Sequence, residues 1–190
     1  MFRTLAAAQL AFIAHQGQNR KYDGRPYIVH PARVAARVTL LNGPLLLDQH
    51  EDMIIAAWLH DVVEDTRFTL KDIKSNFGDR VTRWVDQLTS ESKKTNLEQM
   101  GVDRNKRKRV DREALERADT EAKIIKILDR TDNLRDMVGA PQDGFKRLYH
   151  AESVELFESL RGAPYMDVIS PLTWSAMVDE FHKGLVEVLY

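Results

Sequence analysis

Ala56-Ala57-Trp58-Leu59-His60-Asp61-Val62-Val63-Glu64-Asp65-Thr66 is an apolar run broken by four ionisable residues within six positions. The apolar positions alone predict a core helix. An imidazole and three carboxylates placed in such a helix cost several kcal/mol unless something compensates them. A divalent cation supplies that compensation, because it binds neutral imidazole nitrogen and carboxylate oxygen together.

The surrounding chain reads as helical nearly throughout. Leu5, Ala8, Phe12 and Ile13 share a face at helical spacing over 3–15. Gly17, Gly24 and Pro26 mark a loop, and Pro31 suits the first turn of a helix that stops near Asn42-Gly43-Pro44. The quoted run predicts one helix from about Glu51 to Val63. Thr69 with Asp72 forms a start signal, Gly78 a stop, and Asp79 opens a helix through Val81, Trp84, Val85 and Leu88. Residues 91–118 are strongly charged and read as a mobile loop with one solvated helix. A long helix begins near Thr120, and two more cover 143–161 and 171–189. With no strand-like alternation and no internal repeat, the class is all-α, about eight helices in a single domain over 1–190.

Composition narrows the function. The chain has 190 residues, 43% hydrophobic and 30% charged, as in ordinary globular domains. A formal net charge of −1 excludes the broad basic footprint of a dedicated nucleic-acid binder, though not a local patch. With no cysteine, disulfides, thiolate ligands and a cysteine nucleophile are all excluded. The N-terminus lacks the apolar centre of a signal peptide, and no run approaches 18 apolar residues. A cytoplasmic, membrane-free setting is the expectation.

His60 and Asp61 cannot complete a cation's shell by themselves. His30, in Tyr27-Ile28-Val29-His30-Pro31, stands just before a helix start. Asp129 follows four apolar residues interrupted by Lys126 in Ile124-Ile125-Lys126-Ile127-Leu128-Asp129. Two histidines and two aspartates from three helices make a nitrogen–oxygen site suited to manganese, iron or zinc. Taken singly, His30 reads more readily as a hydrogen-bonded structural residue, and Asp129 as the partner of adjacent Arg130.

Four ordered segments together resemble the hydrolase domain of RelA/SpoT-type alarmone enzymes, within the HD-domain phosphohydrolases. They are His15-Gln16-Gly17-Gln18-Asn19-Arg20-Lys21, Pro26-Tyr27-Ile28-Val29-His30-Pro31, Leu59-His60-Asp61-Val62-Val63-Glu64-Asp65-Thr66 and Leu128-Asp129-Arg130-Thr131-Asp132-Asn133-Leu134-Arg135. The resemblance spans residues 3–138; the last fifty residues carry no matching motif. It implies an HD-type helical bundle with His30, His60, Asp61 and Asp129 as ligands of one divalent metal, manganese being the usual ion. It implies that Glu64 and Asp65 orient and deprotonate water, that Arg20 and Lys21 meet the nucleotide, Arg20 at the base, and that Asn133 positions nucleotide or sugar. The implied activity is removal of the 3′-pyrophosphate from (p)ppGpp-like alarmones, leaving GDP or GTP, by a stand-alone small alarmone hydrolase.

The residues also speak without the family. Glu64 and Asp65 lie four positions beyond His60 and Asp61, one helical turn on, where a carboxylate can take a proton from water that a cation has made more acidic. Simple helix ending is the alternative, and it opposes the helix dipole. Asn133, four beyond Asp129, is either near the metal or on the surface; Arg20-Lys21 in isolation reads as solvated surface. The six positive charges Arg104, Lys106, Arg107, Lys108, Arg109 and Arg112 form either a polyphosphate-screening flap or an exposed segment. Trp58, Trp84 and Trp174 read as core anchors. Rival functions are a generic HD nucleotide phosphohydrolase, an antitoxin that neutralises a toxic alarmone synthetase by binding it or by hydrolysing ppApp or pyrophosphorylated transfer RNA, and a regulatory module with a degenerate site.

Overall fold

The computed structural model describes residues 2–140 and 143–189. Its α-helices in chain order are α1 (Phe2–Ala14), α2 (Val29–Thr39), α3 (Leu47–Leu59), α4 (Val62–Asp65), α5 (Leu70–Phe77), α6 (Asp79–Leu88), α7 (Glu91–Lys94), α8 (Arg104–Glu116), α9 (Thr120–Met137), α10 (Asp143–Leu160) and α11 (Pro171–Glu187). A 3-10 turn, Tyr165–Asp167, precedes α11. No strand occurs among the described residues beyond one isolated bridge, Asn19 with Pro26. The fold is all-α, and none of its helices is long and apolar enough to cross a membrane.

α9 is the axis of the bundle. It packs on α2, α3, α6, α10 and α11, and it buries Ala122, Ile124, Ile125, Ile127, Leu128, Leu134 and Met137. The same helix also buries Asp129, Arg130, Thr131 and Asp132, and polar groups in a core must find partners other than solvent. α6 is amphipathic instead: Val81, Trp84, Val85 and Leu88 turn inward at one-turn spacing. α5 begins and ends where its sequence directs. Thr69 and Asp72 cap each other reciprocally, and Gly78 takes φ +87°, a conformation that suits glycine. Trp84 is buried, and Trp174 stacks on Tyr165 at 3.9 Å between centroids. Trp58 packs against the core from its edge.

Two expectations change. The helix predicted from about Glu51 to Val63 starts earlier, at Leu47, and breaks at His60–Asp61 before α4 resumes. His60 Nδ1 donates to the Ala57 carbonyl at 2.8 Å. That oxygen is the one an unbroken helix reserves for the Asp61 N–H. His60 and Asp61 therefore sit at a joint between two helices, which frees both side chains from a regular helical face. The charged stretch 91–118 carries a helical turn beyond the one helix expected of it. It holds the single turn α7 and the thirteen-residue α8, whose buried residue is Leu115.

The loop after α2 fastens the C-terminal helices to the bundle. Asn42 O accepts the Ser170 N–H at 2.6 Å and the Thr173 hydroxyl at 3.2 Å. The neighbouring Gly43 approaches so closely that an added Cβ would lie 2.2 Å from Val168 O and 2.5 Å from Ile169 Cα. Gly43→Ala is therefore expected to lower unfolding stability by about 1–3 kcal/mol, the usual cost of overpacking, as read from chemical denaturation.

Candidate metal centre

Three elements deliver four donor side chains to one buried point. α2 brings His30 in its first turn, the α3–α4 joint brings His60 and Asp61, and α9 brings Asp129. His30 Nε2 lies 3.1 Å from His60 Nε2, 3.1 Å from Asp129 Oδ1 and 3.5 Å from Asp61 Oδ2. His60 Nε2 lies 3.1 Å from Asp61 Oδ2 and 3.8 Å from Asp129 Oδ1. His30, His60 and Asp129 are buried, and Asp61 is nearly so. His30, His60 and Asp61 form a cluster compact enough to hold a metal ion.

The outer nitrogens of both imidazoles are already committed. A carbonyl oxygen only accepts, so the bond to Ala57 places a proton on His60 Nδ1. His30 Nδ1 faces the Asp132 carboxylate at 2.8 Å, which fixes the same tautomer. In neutral rings both Nε2 lone pairs then point at each other, with two carboxylate oxygens alongside. A cation at that point would draw on all four atoms, the two carboxylate oxygens also accepting from Tyr27 and Asn133. An ion with bonds of about 2.1 Å holds neighbouring donors roughly 3 Å apart, and the spacings here fit that shell. Thiolate-preferring metals are poorly matched to this donor set.

Further contacts hold the carboxylates. Tyr27 Oη donates to Asp61 Oδ2 at 2.6 Å, Lys126 Nζ meets Asp129 Oδ2 at 2.8 Å, and Asn133 Nδ2 donates to Asp129 Oδ1 at 2.6 Å. Asp132 Oδ1 is paired with Arg37 at 3.0 Å. The electrostatics follow. Burial pushes the Asp129 carboxyl up, but Lys126 and the two imidazoles outweigh it and hold it well below the ordinary range. Burial likewise pushes the His60 imidazolium down, yet Asp61 and Asp129 carry it well above the usual histidine value.

Glu64 and Asp65 stand beside this centre on α4. Lys93 Nζ, on α7, bridges them at 2.8 Å from Glu64 Oε1 and 2.9 Å from Asp65 Oδ1. Ser90 N–H donates to Glu64 Oε2 at 2.7 Å. Their environments push the two acids apart. For Glu64, burial is outweighed by Lys126 and Lys93, which lower its carboxyl. For Asp65, burial and the Asp61 charge raise it despite Lys93.

A cleft of about 300 Å³ is lined in part by Arg20, Lys21, Tyr27, Asn133, Phe145 and Tyr149. The Arg20 side chain is only 9% exposed. Its guanidinium donates to Asn133 Oδ1 at 2.9 Å and Asp136 at 3.1 Å, and lies over the Tyr27 ring. The solvated-surface reading of Arg20 is thus corrected, and so is the surface reading of Asn133, which links Arg20 to Asp129. Lys21 remains exposed, with its amine near the Tyr22 and Phe145 rings. Arg130 is not Asp129's partner; it stacks over Tyr149 at 4.5 Å, and Lys126 pairs instead.

An all-α bundle with a His-Asp pair at a helix joint and further donors from two flanking helices defines an HD-type domain. The HD domain family model matches residues 7–164. The guanosine-3′,5′-bis(diphosphate) 3′-pyrophosphohydrolase MESH1 of Homo sapiens is 35% identical over 144 residues, covering 74% of this chain and 73% of the human protein. MESH1 of Xenopus tropicalis is 32% identical, with 83% and 84% covered. The corresponding enzyme of Haemophilus influenzae is 37% identical over 76% of this chain, though only 20% of that longer protein. A solved structure described as a metazoan ortholog of SpoT that hydrolyses ppGpp superposes with a TM-score of 0.73 at 26% identity, covering 97% of each chain. The chain belongs to the HD-domain hydrolases, in the group that includes MESH1 and the SpoT-like enzymes.

Sequence reasoning did not single out Asp132, Lys93, Lys126 or Tyr27 as site residues. Asp132 was discoverable, since it is a second acid one turn beyond Asp129 on an apolar helix. Lys93 was not, because only the path of the chain from α6 to α8 brings it to Glu64.

Proposed function

We propose that this chain is a divalent-metal-dependent hydrolase that removes the 3′-diphosphate of a ppGpp-like nucleotide as pyrophosphate. The observation that carries the reading is the convergence of His30, His60, Asp61 and Asp129 with both imidazole Nδ1 atoms already engaged. The activity named for the MESH1 relatives supports the substrate. Those four residues would hold the ion; their mixed nitrogen–oxygen donor set suits manganese, iron or zinc, and manganese is the one the family resemblance implies. When bound, it would polarise phosphoryl oxygens and acidify water.

The chain's own residues do the rest. Glu64 and Asp65 accept the proton of the attacking water, with Lys93 holding the pair in place. The water oxygen bonds to the phosphorus carried on the 3′-oxygen, the P–O3′ bond breaks, and the 3′-oxygen takes up a proton. Arg20, fixed by Asn133 and Asp136, presents its flat guanidinium to a base in the cleft, and Lys21 at the rim meets phosphate. Asn133 positions the sugar against the Asp129 side of the centre.

A substrate panel with added manganese tests this, comparing ppGpp, ppApp, pyrophosphorylated transfer RNA and nucleoside monophosphates. Pyrophosphate release from a 3′-diphosphate with no turnover of monophosphates is expected; comparable hydrolysis of monophosphates would contradict it. Asp132 offers a gentler probe. Asp132→Asn weakens the hold on the His30 ring, so manganese affinity should fall roughly 10–100-fold in a metal titration.

A further inference from the structure

The first of the four ordered segments holds two residues that the hydrolytic scheme leaves idle, His15 and Gln18. His15 follows directly on α1, its N–H donating to Ala11 O at 3.0 Å, and it is 3% exposed. Gln18 lies three residues on, past Gly17, whose φ of +81° turns the chain. Its main chain is fixed at both polar groups. The N–H donates to His15 O at 3.0 Å, and the carbonyl accepts the Tyr27 N–H at 2.9 Å.

From that fixed point the Gln18 side chain crosses to the helix that carries Glu64 and Asp65. Its Nε2 donates to the Asp65 main-chain carbonyl at 3.0 Å. A carbonyl only accepts, so the orientation of the amide is settled, and Oε1 faces His15 Nδ1 at 2.8 Å. That contact requires a proton on Nδ1. The other ring nitrogen, Nε2, is buried and has no hydrogen-bond partner among the described residues. A buried polar atom left unpaired costs about 1–3 kcal/mol, so packing alone favours an apolar side chain at this position. The imidazole is matched to Gln18 instead.

α4 needs such a hold. It is four residues long, and a single helical turn does not persist by itself. Its last carbonyls, Asp65 O among them, have no partner within the helix. The 15–27 loop reaches both of its ends. Tyr27 Oη donates to Asp61, just before the helix, and Gln18 donates to Asp65, its last residue. The rings of His15 and Tyr27 pack together with centroids 4.7 Å apart. Lys93 and Ser90 hold the acid side chains, whereas Gln18 holds the backbone that carries them.

We propose that Gln18, oriented by His15, is a positioning residue that fixes the end of α4 and thereby aims Asp65 at the attacking water. The role rests on the hydrolase reading for what Asp65 does; the tether itself does not.

Hydrogen–deuterium exchange on the metal-free full-length chain reads the tether apart from turnover, and steady-state kinetics read its consequence. Gln18→Met keeps the length of the side chain and loses the donor. Exchange in the peptide covering 61–66 should quicken roughly 3–10-fold, the worth of one hydrogen bond, while peptides of α9 stay unchanged. With ppGpp, kcat should fall about 10–100-fold, the cost of a misaimed group, with KM and manganese affinity held within about twofold. His15→Asn, whose side-chain nitrogen stands where Nδ1 does, should retain most of the turnover that His15→Leu loses. Gln16→Ala, exposed in the same loop, should change neither reading. Unchanged exchange or unchanged kcat in Gln18→Met, a matching loss of manganese affinity, or equal losses in His15→Asn and His15→Leu would overturn the role. Faster exchange of α4 in Gln18→Met, together with a wild-type chain that leaves every 3′-diphosphate intact, would sustain the tether and refute only the hydrolase reading.

Discussion

Asp61→Ala is expected to reduce manganese-dependent turnover by roughly 10³-fold or more while the protein stays helical. The arithmetic is simple. A catalytic cation contributes several kcal/mol to the transition state, and each 1.36 kcal/mol or so is a factor of ten. Asp61 Oδ2 lies within 3.5 Å of both imidazoles, so its loss opens the donor shell directly. The fold should tolerate it. Asp61 is at the α3–α4 joint, where removing a carboxylate also relieves repulsion from Asp129. Steady-state kinetics with circular dichroism on the same preparation decide the matter. Full turnover in the variant would remove Asp61 from the chemistry.

Glu64→Gln should separate proton transfer from metal binding. Glu64 touches Ser90 N–H and Lys93 and takes no part in the four-donor cluster. Metal affinity should therefore stay near the wild-type value. The amide keeps the shape of the acid but cannot accept the water's proton, so kcat should fall about 10²–10⁴-fold, the usual worth of a positioned general base. Measuring kcat and manganese affinity side by side is the check. Metal loss in parallel with turnover would make Glu64 a structural support of the centre, and unchanged kcat would exclude it as the base.

Much of the architecture could be read before the structure, because helical periodicity and caps act over a few residues. Thr69 with Asp72, Gly78 and the α6 stripe needed no tertiary information. The four candidate donors were named through the family resemblance; taken singly, His30 before a proline and Asp129 beside Arg130 carry only a weak signal, because packing alone brings them together. Side-chain chemistry that competes with the helix was harder to foresee. At the break His60 reaches back to the Ala57 carbonyl with one ring nitrogen and meets His30 and Asp129, from other helices, with the second. The same limit applies to Arg20. In the sequence it is one of an exposed-looking basic pair, and only the packing of α9 against the 15–27 loop buries it on Asp136 and Asn133. The basic run of α8 shows the problem in reverse: six similar charges are indistinguishable until glutamates on α8, α10 and the preceding turn claim four of them.

On the reading proposed above, three helical segments jointly hold one divalent cation. The most direct test is a manganese titration of the chelator-stripped protein, followed by loss of the free-ion paramagnetic resonance signal. Saturable binding of a single equivalent per chain, abolished in Asp129→Ala, is the predicted result. No binding by the wild-type protein, or undiminished binding by Asp129→Ala, would contradict it.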